Sequence, residues 1–139
     1  KEIVAKANVK DGIVVVYSHH TTCSVITQEC AFDMSMTGLE TLQQDLVNVF
    51  EEWIPTCRYE GMYLHPGHEA LVFAEEHGED NFGGQNTDAH LRSSIIGRNV
   101  TIVMADGEMD LGEFGRIHFI DWDQTRARQR TVQVMIIGE

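Results

Sequence analysis

The stretch NTDAHLRSSIIGRNVTIVMADG, residues 86–107, changes structural period twice and so sets the fold class. Thr87 or Asp88 supplies an N-cap and Gly97 a left-handed C-terminal residue, which makes Asp88–Gly97 a short helix. Asn99–Ala105 then reads as a strand, and Asp106-Gly107 has the chemistry of a tight hairpin turn. Downstream, Met109–Leu111 leads into a strand at Arg116–Trp122. Thr125–Arg128 turns the chain into Thr131–Ile137, where Val132, Val134 and Ile136 share a face. This punctuation predicts a β-meander.

Upstream, Ile13–Ser18 reads as a strand apolar on both faces, and Asp11-Gly12 permits a hairpin with Glu2–Asn8. A second β-rich piece, Cys23–Gln28, follows His19-His20. Apolar residues recur at helical spacing from Thr37 to Trp53, and Pro55 stops the pattern, so this is one long core-packing helix. Arg58–Gln85 lacks a period and reads as a long loop with a short ordered piece at Ala70–Glu75. Strands at both ends with helices between them predict an α+β domain over residues 1–139, with antiparallel sheets packed against one long and one short helix.

Composition narrows the function classes. Among 139 residues, 22 acids against 10 bases leave a net charge of −12, which disfavours a nucleic-acid partner. Hydrophobic residues make up 42 %, enough for a core, and no apolar run approaches the ~20 residues of a membrane span. Cys23, Cys30 and Cys57 cannot all pair and form no CxxC, which fits a reducing cytoplasm.

Seven histidines are the main chemical signal. His19 and His20 sit at the end of the first strand, His65, His68 and His77 in the long loop, and His118 mid-strand. His90 lies in the first turn of the short helix, where partial positive charge favours a neutral imidazole and free amides attract anions. Capping accounts for Asp88 in Asn86-x-Asp88-x-His90 but not for His90. Arg126, Arg128 and Arg130 alternate along a turn-to-strand segment and suit a phosphate group. Their ordinary alternative is a solvated hairpin end offsetting Asp121 and Asp123. Glu29 is a ligand or general base if it is buried near the histidines, and an ordinary acid if exposed.

In this order, His20-Thr21-Thr22 with Glu29, Asn86-x-Asp88-Ala89-His90-Leu91 with Ser93-Ser94-Ile95-Ile96-Gly97, Val100-Thr101, Asp106-Gly107, Leu111-Gly112 and Arg128–Val134 form one series. Over about Ile13–Gly138 the chain resembles the YjbQ-like family, also called secondary thiamine-phosphate synthases. The resemblance implies a compact α+β subunit, a homotrimer, and a site built on His20 and His90, with Tyr63-x-His65 the nearest match to a further family histidine. It implies an activity joining a pyrimidine diphosphate to a thiazole phosphate, with Asn86, Asp88, Arg128 and Arg130 as phosphate-binding residues and His20, His90 and Glu29 as catalytic ones. It also implies a divalent metal. Three imidazoles, His20, His65 and His90, suit zinc with an open fourth position, whereas magnesium would prefer Glu29, Asp88 and substrate phosphate.

The rival reading is a non-catalytic metal- or anion-binding trimer. Two departures separate the chain from the family pattern. Glu113-Phe114-Gly115 follows Leu111-Gly112 where the family has Thr-Trp-Gln, and the Gly67–Gly84 loop is longer and more acidic. Family members also begin roughly 20 residues earlier, so the resemblance implies a further N-terminal strand.

Overall fold

The computed structural model describes residues 2–79 and 84–139. It is an α+β fold with two antiparallel sheets and four helices. In chain order these are α1 (Glu2–Lys6), β1 (Gly12–Tyr17), β2 (Cys23–Glu29), α2 (Thr41–Trp53), α3 (His68–Glu76), α4 (Thr87–Ile96), β3 (Asn99–Ala105), β4 (Glu108–Met109), β5 (Gly115–Asp121) and β6 (Gln133–Gly138). One sheet has the order β4-β3-β1-β6; the other is the pair β2-β5.

β1 is central because its branched residues serve both neighbours at once. Val14 stands opposite Ile102 of β3 and Ile136 of β6, and Val16 opposite Val100 and Val134. Val14, Val16 and Met104 are buried together with Val25 of β2, and Ile117 of β5 packs against them. The inner faces of the two sheets therefore make one core. The other face of β2-β5 meets α2 and α4 through Phe50, Ile54, Ala89 and Trp122.

Several sequence expectations change here. Glu2–Lys6 is helical, not a strand, because both edges of β1 are already taken by β3 and β6. The meander stops after the Asp106-Gly107 turn, whose positive φ values of 51° and 81° suit a two-residue hairpin. β4 pairs for only two residues, and β5 crosses to β2 while β6 joins β1. The long loop contains α3, of which no residue is buried. α2 begins at Thr41, after Gly38 at φ 84°. Its Leu46, Val47 and Phe50 face the core, but Val49 and Trp53 are exposed.

The short helix is longer by one residue at its start, and its caps differ from expectation. Asn86 occupies the N-cap position without a side-chain cap bond. Thr87 Oγ1 donates to the His65 carbonyl, and Asp88 Oδ1 accepts the Cys57 amide at 3.1 Å. Gly97, at φ 96°, closes the helix as expected.

α4 buries a polar face: Asp88, Arg92 and Ser93 are buried, while Leu91 and Ile95 are exposed. Arg92, with a fully buried side chain, donates to Glu51 Oε2 at 2.9 Å and twice to the Ile54 carbonyl, at 3.1 and 2.6 Å. Its guanidinium also lies 5.6 Å from the Trp122 ring centroid. Arg92→Ala leaves these acceptors unpaired, and removing one member of a buried charged network costs about 3–5 kcal/mol. A chemical-denaturation midpoint showing less than about 1 kcal/mol of loss would contradict this role.

Candidate functional site

A cleft of about 390 Å³ opens where the end of β1, the start of α4 and the segment after β5 meet. His19 and His20 reach it from the loop after β1, because Ser18 ends the strand ladder with its amide on the Arg98 carbonyl. His65 enters from the segment before α3, Asn86 and His90 from α4, and Arg126, Arg128 and Arg130 from the segment leading to β6. Six of the residues named from sequence are thus brought together: His20, His65, His90, Asn86, Arg128 and Arg130.

Glu29 and Asp88 are not. Glu29 is exposed at the far end of β2, opposite Gly115, and a seven-residue strand separates it from Thr22 by roughly 20 Å. It is an ordinary surface acid. Asp88 faces away from the cleft, held by Cys57 and 3.8 Å from Arg92.

Two carboxylates that sequence reasoning treated only as charge partners organise the arginines. Asp121 receives both Arg130 Nε at 2.7 Å and Arg130 Nη2 at 2.9 Å, a two-pronged pair. Asp123, whose side chain is fully buried, takes the Asn86 amide at 3.0 Å and the Thr125 amide at 3.0 Å. Arg128 Nη2 approaches Asp123 to 3.1 Å, yet its angle makes no hydrogen bond. Nε and Nη2 of Arg128 are buried without a hydrogen-bond partner among the described residues. Burial alone would raise both aspartates, but the bonds they accept win and keep their pKa values below the ordinary range. Only their position, five or fewer residues from the arginine run, hinted at this role.

The imidazoles are tuned toward neutrality. Burial lowers the pKa of His90 from 6.5, neighbouring His65 lowers it further, and a bond with the Thr21 backbone opposes both. Burial, then His19 and Arg130, lower that of His20. The geometry agrees, since His20 Nε2 lies 2.9 Å from the Thr131 amide and accepts from it. His65 and His90 meet edge to face, 5.2 Å between ring centroids.

This arrangement does not fit a three-imidazole metal site as it stands. Among the described residues no trio of His, Cys, Asp or Glu is gathered around a point that could hold an ion. His20 spends one ring nitrogen on Thr131, and Glu29 and Asp88, the oxygen ligands considered for magnesium, lie elsewhere.

The whole chain, residues 1–139, matches the family described as UPF0047 protein YjbQ-like. The chain belongs to this family. A UPF0047 protein of Methanocaldococcus jannaschii is 31 % identical over 98 % of this chain and 78 % of its own length. One from Archaeoglobus fulgidus is 27 % identical over 91 % and 79 %. Among solved structures, a YbjQ-like protein of unknown function from Sulfolobus solfataricus has a TM-score of 0.73 at 21 % identity, covering all of this chain and 81 % of its own. A hypothetical protein from Aeropyrum pernix reaches 0.70 at 28 % identity, covering 99 % and 82 %. These UPF0047 relatives share the fold into which the cleft is built.

Because the folded pKa values of His20 and His90 lie below the unfolded 6.5, the unfolded chain takes up these protons first. Their contribution to stability is complete above that value and is lost as pH falls through it. Imidazole NMR titration should place both midpoints below 6.5, and a midpoint above it for His90 would refute the burial argument.

Proposed function

We propose that the cleft binds a small phosphorylated molecule and that its activity is of thiamine-phosphate-synthase type, joining a pyrimidine diphosphate to a thiazole phosphate. The supporting observation is the unpaired donor edge of Arg128, set beside Arg130, Asn86 and two imidazoles lowered toward neutrality in one cleft. Departure of diphosphate builds negative charge on its oxygens, and fixed guanidinium donors stabilise such charge. A neutral His90 can donate or accept a proton at the reacting end.

The rival, a non-catalytic anion binder, uses the same arginines without turnover. Inorganic diphosphate should bind in calorimetry, and Arg128→Ala should weaken it at least tenfold. Turnover of the two thiamine precursors, lost in His90→Ala, supports the enzyme reading; binding without turnover supports the rival. A divalent ion, zinc before magnesium, would require His20 to exchange its Thr131 bond for the metal. Metal analysis of the purified protein tests that directly.

We also infer a homotrimer. The outer face of the larger sheet aligns Val103, Ile13 and Ile137 in one row and Thr101, Val15 and Met135 in the next. Val103, Met135 and Ile137 are 61 %, 62 % and 54 % exposed, an apolar surface that a second copy would cover. Light scattering should give three times the 15.7 kDa of one chain; Val103→Glu should shift it to one. A reducing cytoplasm suits the three free cysteines, two of them buried.

A further inference from the structure

A second cavity, of about 320 Å³, lies on the other side of β5, between that strand and α2. Leu39, Leu46 and Val47 line it from one side, Ile120 and Trp122 from the other. No phosphate-binding group reaches it. Its only charged wall residue is Asp121, whose two carboxylate oxygens are both occupied by Arg130. The walls are therefore apolar and effectively neutral, which excludes the ligand class proposed for the histidine–arginine cleft.

Two polar atoms interrupt this lining. Gln28 Oε1 and His118 Nε2 are buried without a hydrogen-bond partner among the described residues, and both side chains line the cavity. The register explains why they fall together. Ile26 stands opposite His118 and Gln28 opposite Arg116, so Gln28 and His118 are diagonal neighbours on one face, with Cα atoms roughly 7–8 Å apart. The third polar group fixes the histidine: Gln43 Nε2 lies 2.9 Å from His118 Nδ1. With the amide donating to Nδ1, the ring proton sits on Nε2, which becomes a donor. Gln28 Oε1 is an acceptor. The cavity thus presents one donor and one acceptor within apolar walls, and native folds leave few such groups unpaired.

We propose that this cavity is a second binding site, for a small neutral planar molecule carrying a carboxamide-like edge. Such an edge offers a carbonyl or ring nitrogen to His118 Nε2–H and an N–H to Gln28 Oε1. The volume lies at the lower end of ligand pockets, ~300–1,000 Å³, and suits a one- or two-ring compound. A charged ligand is disfavoured, because no counter-charge is free on the walls.

The test uses benzamide and N,N-dimethylbenzamide, which share a ring and a carbonyl but differ in the N–H, titrated into the intact protein and followed by nitrogen-15 NMR. Benzamide should saturably shift the Gln28 and Gln43 side-chain amides and His118 Nε2, and bind at least fivefold more tightly than its dimethyl analogue. His118→Phe should weaken benzamide at least fivefold while leaving diphosphate binding at the other cleft unchanged. Equal binding of the two probes would overturn the proposal. So would shifts confined to His20, His65 and His90, or no saturable shift up to the solubility limit. The paired probes read the unmodified protein, so the result stands even if His118→Phe fails to fold.

Discussion

Everything on the helical side of this molecule is referred to a single guanidinium. Arg92 carries its charge into a place without water, and the cost of that transfer is offset only because acceptors converge on it: Glu51 from α2 and the Ile54 carbonyl just beyond the helix end. Glu51 is itself fixed by the Thr56 amide and by Arg58. Burial would raise its pKa, yet the bonds from Thr56, Arg58 and Arg92 bring it down to about 2. The carboxylate is then ionised wherever the protein is folded near neutrality, and α4 cannot rotate about its axis without leaving charges unpaired. Since Asn86 and His90 project from that helix, the rigidity of the cleft is set by a contact on the helix's other side.

The sheets supply the second constraint. Ser93 Oγ donates to the Cys23 carbonyl at 2.6 Å, and Trp122 Nε1 to Ser24 Oγ at 2.9 Å, so α4, the start of β2 and the end of β5 are tied at one level. The loop carrying His19 and His20 must cross this level, because β1 ends one residue earlier and β2 begins at Cys23. Four chain segments that are far apart in sequence therefore present their side chains to one space. Asp121 stands where the two cavities come closest in the chain: it anchors Arg130 in the cleft and contributes to the wall of the cavity beside α2.

What could be read from sequence follows from which forces are local. Turn chemistry is local, so Asp106-Gly107 and Gly97 were legible and stand as expected. The strand at 13–17 was legible from its branched run, but its partners were not, since a period of two says which face is buried and nothing about the neighbour. That is why a meander was expected where β5 and β6 in fact diverge to separate sheets. α4 misled in another way. Its apolar residues Leu91 and Ile95 face outward and its charged face is buried, the reverse of the usual amphipathic rule. Arg92, Asp121 and Asp123 consequently passed as surface charges. The histidines and arginines of the cleft were recognisable because their clustering in a strongly acidic chain is chemically unusual, whereas Glu29 failed because strand length carried it away from the site.

The balance of charge in the cleft bears on how an anion would be recognised there. Arg126 is paired with Glu79 at 2.8 Å, Arg130 with Asp121, and Arg128 lies against Asp123. Three cations thus face three carboxylates, and the site has little net field to set against a chain of charge −12. Long-range attraction would work against a phosphorylated ligand rather than for it. Selection must therefore come from directional donors at contact distance. The carboxylates serve this by holding each guanidinium in one orientation, so that any donor edge left unpaired, as on Arg128, is already aimed before the ligand arrives. An acidic protein can bind an anion on these terms only if its donors are preorganised, and the burial of Asp123 is what keeps them so.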